Sequence, residues 1–187
     1  MTTAAPAKTS TWTIDPTHSI AEFAVKHLVV TTVKGRFRDL EATLHIDEAN
    51  PENSSVEAKI AVGSIDTNVE ARDADLRSDN FFSVEKFPYI TFKSTRVERI
   101  DDARFKLVGD LTIRDVTKEV VLDGEYEGQI DDPYGNKRAG FTATTQISRS
   151  GFDIKRNMLL EGGGVVVSDD VKITLHLEAI RQKEQEA

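Results

Sequence analysis

Apolar and polar residues alternate with a period of two along most of this chain. Because successive side chains of a strand point to opposite faces, each such run predicts a β-strand with one dry face. The dry positions fall in eight runs, at 23–27, 40–46, 56–62, 90–92, 105–113, 120–126, 141–147 and 171–177. Clusters of Asn, Asp, Gly and Pro separate the runs, so consecutive strands are expected to pair as hairpins.

The alternation changes phase between two runs that no turn signal separates. Phe37 is odd-numbered, whereas the dry positions of the next run, from Leu40 to Ile46, are even. An extra residue in one strand restores the phase, so we expect a β-bulge near Arg38-Asp39.

The segment 67–87 lacks strand periodicity. Thr67 and Glu70 have the spacing of a capping box, and Pro88 disfavours helix at the residue before it. We therefore predict one helix over residues 68–79, followed by a short turn that carries Phe81 and Phe82. Arg72, Asp73 and Arg77 fall on this helix, where Asp73 and Arg77 are four residues apart and can pair.

The predicted elements fit either a barrel or a sandwich. A barrel of about eight strands is filled by its own side chains or holds one small ligand, depending on the size of the inward residues. Several of the predicted inward positions are small, and small inward side chains leave space for a ligand. These positions are Ala42, Ala58, Gly109, Gly124, Ala143 and Thr145.

Composition narrows the range of partners. The formal charge of −8 argues against nucleic acid, and no apolar run reaches the about 20 residues of a spanning helix. With no cysteine there is no disulfide, thiolate nucleophile or Cys-based metal site. The start of the chain lacks the features of a secretory signal, so we expect a cytoplasmic protein with no stable membrane insertion. Residues 1–10 and 182–187 are expected to be disordered tails.

The polar residues give weak signals for catalysis or metal binding. His45 and His176 fall on the wet faces of their strands, which leaves His18 and His27 as candidates for the interior. The stretch 15–19 holds Asp, His and Ser too close together for a triad, and we expect an Asp-Pro turn there. The Gly-rich stretch 161–164 lacks the Lys-Ser/Thr that would hold phosphates. We predict no catalytic residue, metal or cofactor.

Three ordered stretches resemble one known family. The run 11–19 with the following Val33-Lys34-Gly35-Arg36-Phe37 resembles the start of YceI-like proteins. The stretches 72–82 and 87–94 resemble the central motif of the family, and Gly109-Asp110-Leu111-Thr112-Ile113 follows in order. Where many relatives have His in the central motif, this chain has Asp75. The resemblance spans residues 11–181.

The resemblance implies a fold and a function. The family is known for an all-β, lipocalin-like antiparallel barrel, here with about eight strands and a short helical insertion, that holds a polyisoprenoid or similar lipid. We accordingly expect non-catalytic binding, storage or carriage of a polyisoprenoid or fatty-acyl lipid, with a role in transport or stress response. Dimers occur in the family, so a homodimer is an open alternative. The expected apolar lining is Phe23, Val25, Phe37, Phe92 and Phe141, with His18, His27 and Arg72 as polar contacts near the mouth.

Two alternatives stay open at this stage. The chain could be a hydrolase or isomerase that uses His18 or His27 as a general base. It could also be a stress-related interaction module with a filled barrel. In the lipid-binding interpretation, a lipid must pass through an end of a closed barrel. We therefore predict that the segment 67–87 covers one end, with Phe81 or Phe82 as a plug.

Overall fold

The computed structural model describes residues 9–157, 161 and 166–183, and within these ranges the chain forms eleven strands and one α-helix. Three short 3-10 turns, at Pro51–Asn53, Val62–Ser64 and Ser150–Phe152, complete the regular structure. The elements in chain order are β1 (Thr9–Ile14), β2 (Ile20–His27), β3 (Thr31–Phe37), β4 (Leu40–Asp47), β5 (Ser55–Ala61), β6 (Ile65–Asp66), α1 (Glu70–Arg77), β7 (Tyr89–Arg99), β8 (Arg104–Ile113), β9 (Val116–Asp131), β10 (Lys137–Ser148) and β11 (Asp170–Arg181).

Eight of the strands close a barrel. Antiparallel pairing runs through β1, β4, β5, β7, β8, β9, β10 and β11, and β11 pairs back with β1. Strands β2, β3 and β6 extend the wall at one end, because β2 also pairs with β11 and β3 pairs with both β2 and β6. The predicted antiparallel barrel of about eight strands is confirmed.

The extra strands arise where long strands are interrupted. Residues 15–19 separate β1 from β2, and Val62–Ser64 separates β5 from β6. At Arg38-Asp39, where we predicted a β-bulge, β3 ends and β4 begins, and both backbone N–H groups donate to Ser64. The phase change is therefore a break between two strands. The prediction located the irregularity but was wrong about its type.

The helix is shorter than predicted, and its start is different. It spans Glu70–Arg77 instead of 68–79, and Thr67 does not cap it: the Thr67 hydroxyl donates to Asp73 Oδ1 at 2.5 Å. Asp73 also accepts the Thr67 backbone N–H, so it is not free to pair with Arg77. Arg77 contacts Glu70 instead. Both predicted interactions are wrong because the buried Asp73 is needed to hold the chain before the helix.

Two tail boundaries also change. β1 begins at Thr9, which pairs with Asp47, so the predicted tail over 1–10 is wrong for its last two residues. Gln182 is tied to β1, since its backbone N–H donates to the Thr11 carbonyl oxygen. Residues 1–8 and 184–187 of the predicted tails, and the Gly residues of the stretch 161–164, lie outside the described residues. Among those that are described, no helix has the length and apolar composition to cross a bilayer.

The buried apolar residues form three clusters. The first surrounds Trp12 and includes Leu40, Leu44 and Ala179. The second contains Val62, Ile90 and Ile113 and receives Phe81 and Phe82 from the segment after α1. The third contains Leu107, Leu122 and Ala143.

Candidate functional site

A cavity of about 890 Å³ occupies the interior of the barrel. Most of its wall is apolar, and the inward residues of every barrel strand contribute to it. Several large side chains inside the barrel, such as Phe23, Phe92 and Phe141, are only partly buried because one side of each faces this space. A fully packed core would leave such rings fully buried. The barrel is therefore hollow.

Glycine residues keep aromatic rings flat against the wall. Phe105 lies directly opposite Gly124 on the neighbouring strand, and a Cβ atom built on Gly124 would come within 2.3 Å of the Phe105 ring. Gly109 holds the Phe92 ring in the same way, and Gly35 holds that of Phe23. We expected Gly109 and Gly124 to leave empty space, which is wrong: rings cover them. The glycines open the cavity indirectly, because they let these rings lie along the wall.

One end of the cavity is covered by three segments, and we call it the insertion end. These segments are the turn 28–30, the insertion 67–88 and the described parts of the connection 149–169. Arg149 ties the last segment together, since its guanidinium donates to the carbonyl oxygens of Ile154, Arg156, Val167 and Ser168. Its exposed fraction is 7%, and this burial lowers the pKa of Arg149.

The other polar side chains at the insertion end form two hydrogen-bonded groups. Arg72 donates to the hydroxyl and carbonyl oxygens of Thr67, at 2.7 and 2.9 Å. Arg156 donates to Asn80 Oδ1, and Asn80 in turn donates to Asp75 Oδ1. Arg72, Asp75 and Arg156 all line the cavity. The insertion and the connection 149–169 are thereby joined above the cavity.

The opposite end, which we call the distal end, is formed by the loops 48–54, 100–103 and 132–136. Both of its lining arginines pair with aspartates: Arg99 contacts Asp102 at 2.5 Å, and Arg104 contacts Asp101 at 2.7 Å. Hydrogen bonds from Arg104 and Ala103 lower the pKa of Asp101 to about 2. Asp47 also lines this end and accepts the backbone N–H groups of the loop that follows it.

Phe81 and Phe82 both line the cavity at the insertion end. The Phe82 ring meets Phe37 edge to face, with centroids 6.0 Å apart, and Phe37 lies 5.7 Å from Phe23. A row of three rings therefore leads from the insertion into the barrel. Both Phe81 and Phe82 also pack against the second core cluster. Replacing either ring therefore also affects the core.

His18 lies on the outside of the barrel, in the turn between β1 and β2. Its Nδ1 is 3.0 Å from Asp15 Oδ2, and Asp15 accepts the backbone N–H and hydroxyl of Thr17, as expected for an Asp-Pro turn. Arg138 also contacts Asp15, Glu178 and Asp132. Asp15, His18 and Glu178 are close enough to share a metal ion, but the Arg138 guanidinium already donates hydrogen bonds to both carboxylates. We propose no metal site there.

This cluster makes a testable contribution to stability. The neighbouring carboxylates, chiefly Asp15, raise the pKa of His18. A raised pKa stabilises the fold below the unfolded value of about 6.5, and this stabilisation is lost as pH rises through the folded value. We expect the melting temperature of the wild type to fall more than that of His18→Gln between about pH 6 and about pH 9. Parallel curves would show that the contact adds no stability.

Nine of the ten residues predicted to contact the ligand line the cavity. His18 is the exception. Sequence reasoning kept His18 as a candidate because alternation does not determine the direction in which a residue of the turn 15–19 points. The same reasoning missed Arg149 and Arg156 as lining residues, because both lie outside the periodic runs. The nine residues are Phe23, Val25, His27, Phe37, Arg72, Phe81, Phe82, Phe92 and Phe141.

Comparisons of sequence and of structure with known proteins agree on one family. UPF0312 protein ECA1782 of Pectobacterium atrosepticum is 40% identical over 166 residues, which cover 89% of this chain and 83% of that protein. The crystal structure of a Campylobacter jejuni YCEI protein superimposes with a TM-score of 0.74 at 33% identity, covering 84% of this chain and 90% of that one.

A more distant structure shares the fold. The polyisoprenoid binding domain from Saccharophagus degradans has a TM-score of 0.65 at 15% identity, over 94% of this chain and 100% of that one. The sequence profile of the YceI-like domain matches residues 12–179. The chain therefore belongs to the YceI-like family.

Proposed function

We propose that this protein binds a lipid with a long apolar chain, of polyisoprenoid or fatty-acyl type, and stores or carries it without chemical change. The observation that carries the proposal is the hollow, mostly apolar interior of about 890 Å³. This volume is near the upper end of the about 300–1,000 Å³ found for small-molecule sites. The polyisoprenoid binding of the Saccharophagus degradans domain, which shares the fold, supports the same class of ligand.

The energetics favour a long chain over a small polar molecule. Burial of apolar chain contributes about 0.8 kcal/mol per methylene, so about ten to fifteen carbons contribute on the order of 10 kcal/mol before ordering costs. The few polar groups of the lining lie at the two ends of the cavity. An amphiphile with its chain in the barrel and its head at one end matches this distribution.

The described residues offer less support for an enzyme. His18, one of the two candidate bases, lies outside the cavity and is held by Asp15. His27 lines the cavity at the insertion end, where it serves a binding role equally well. A binding protein needs no general base, and we therefore propose a non-catalytic role. Cytoplasmic location, a homodimer and a role in transport or stress response stay predictions.

Native mass spectrometry before and after organic extraction tests this proposal. We expect protein purified without added lipid to carry an apolar small molecule, and the mass difference to disappear after extraction. The extracted protein should then take up farnesol or palmitic acid with one-to-one stoichiometry. Absence of any released lipid, together with no uptake of either probe, would exclude lipid binding.

We further propose that the insertion controls exchange of the ligand. In the closed barrel the ends are the only openings, and the Phe82 ring stands at the insertion end beside Phe37. The turn 28–30 at this end exposes Val29 and Val30 by 73% and 78%, and Val29 has a φ of 65°. Exposed apolar side chains such as these favour contact with a membrane or another apolar surface from which a lipid can enter.

Replacing Phe82 by Leu should raise the ligand dissociation rate several-fold, because a smaller side chain leaves the row of rings incomplete. Stopped-flow displacement of a fluorescent fatty acid measures this rate. Phe152→Leu is the matched control: Phe152 belongs to the same core cluster, is 2% exposed and does not line the cavity. An equal rate increase in both variants would mean that lost stability, not an opened end, speeds release.

A further inference from the structure

The two ends of the cavity differ in how their charges are compensated. At the distal end, both lining arginines, Arg99 and Arg104, form ion pairs with the adjacent aspartates. At the insertion end, the lining arginines Arg72, Arg149 and Arg156 form hydrogen bonds to neutral oxygens. In the described part of the chain, none of these three guanidinium groups has a carboxylate oxygen within 4.0 Å.

The carboxylates near the insertion end do not cancel this charge. Asp75 lines the cavity and reaches Arg156 only through the side chain of Asn80. Asp73 is buried behind Thr67 and reaches Arg72 only through the Thr67 hydroxyl. Glu22 of β2 also lines the cavity, and Asp169 lies near Arg149, where it accepts from Ser148 and Ser150. Among the described residues, none of these carboxylates forms a direct ion pair with the three guanidinium groups.

Burial strengthens the effect of one of these charges on a ligand, that of Arg149, whereas Arg72 is half-buried and Arg156 is exposed. Arg149 is 7% exposed and borders an apolar space, where electrostatic interactions are screened less than in water. Desolvated cations are stabilised by an anion that brings charge-assisted hydrogen bonds. The distal end offers no such gain, because its arginines already have partners.

We propose that the insertion end is a binding site for an anionic head group, a carboxylate or a phosphate, whose apolar chain extends through the barrel toward the distal end. Arg72 and Arg156 are the groups that contact the head directly, and Arg149 supplies positive charge while it holds together the described parts of the connection 149–169. This inference rests on the proposed lipid binding and adds the class of head group and its orientation.

Affinity measurements on a matched series of sixteen-carbon amphiphiles test the inference. The extracted full-length protein is titrated with palmitic acid, hexadecyl phosphate, hexadecanol and hexadecylamine, each below its aggregation limit, by competition with a fluorescent probe. We expect both anions to bind about tenfold tighter than the alcohol, the size of one charge-assisted hydrogen bond, and the amine to bind most weakly.

Variants identify which end of the cavity recognises the charge of the head group. Arg72→Gln combined with Arg156→Gln should reduce the preference for palmitic acid over hexadecanol to near unity, and because the preference is a ratio, a general loss of affinity in this variant does not change it. Arg99→Gln at the distal end is the control and should keep the preference. Equal affinity of all four probes, or loss of the preference in Arg99→Gln alone, would overturn the inference and leave lipid binding intact. Failure of all four probes to bind would overturn both.

Discussion

Replacing Ala143 by Trp is expected to weaken lipid binding by about 50-fold, because the indole would displace about three methylenes of the ligand at about 0.8 kcal/mol each. Ala143 points into the cavity from β10, between Gly124 of β9 and Leu175 of β11. Its methyl group is among the small side chains that keep the centre of the barrel open. The measurement is a fluorescence titration of extracted protein with palmitic acid.

The matched control for this variant is Gln146→Trp. Gln146 is exposed and lies on the outer face of the same strand, opposite Lys172. The Gln146→Trp variant carries the same new side chain outside the cavity, so its affinity for palmitic acid should equal that of the wild type. Circular dichroism and melting curves confirm that both variants fold. Wild-type affinity in folded Ala143→Trp would show that the lipid does not occupy the barrel interior.

Replacing Gly109 by Ala is expected to lower the free energy of unfolding by about 3 kcal/mol, at the upper end of the usual cost of overpacking. A Cβ atom at this position would lie 2.5 Å from the Lys93 carbonyl oxygen and 2.6 Å from the Phe92 ring. The ring can turn inward, but the backbone oxygen belongs to the pairing between β7 and β8 and has little freedom to move. Urea unfolding of extracted protein measures the loss.

Gly63→Ala provides the control for the glycine substitution itself. Gly63 lies in the short turn Val62–Ser64, and a Cβ atom there would meet its nearest neighbour, Val84, at an ordinary 3.9 Å. This variant should be as stable as the wild type or slightly more stable, because alanine has less freedom to lose on folding. If both variants unfold at the same urea concentration, close contact with a Cβ atom is not the reason that position 109 requires glycine.

The period-two alternation predicted the strands and their dry faces well because register and face are coupled in a strand: a one-residue slip would expose every dry side chain. The choice of a barrel over a sandwich came from the resemblance to YceI-like proteins. The alternation also placed Phe23, Phe37 and Phe92 on the inner wall. Alternation says nothing about residues outside the periodic runs. Arg149 and Arg156 follow β10, and their place at the cavity depends on contacts with segments distant in sequence.

Residue size was a misleading guide at the glycines. Small side chains at Gly109 and Gly124 were expected to leave space directly, but each lies under an aromatic ring of the neighbouring strand. The helix start was missed for a similar reason. A capping box was predicted from spacing alone, whereas in the structure the Thr67 hydroxyl and backbone N–H both donate to the buried Asp73.

The central claim is that an apolar chain lies inside this barrel, and quenching of Trp12 fluorescence tests it most directly. Trp12 is the one tryptophan of the sequence, is 1% exposed to solvent and lines the cavity. Bromine quenches indole fluorescence on contact, so we predict saturable one-to-one quenching by stearic acid brominated along its chain, and none by aqueous bromide. Tight binding of the brominated lipid with unchanged Trp12 emission would place the ligand outside the barrel and contradict the account.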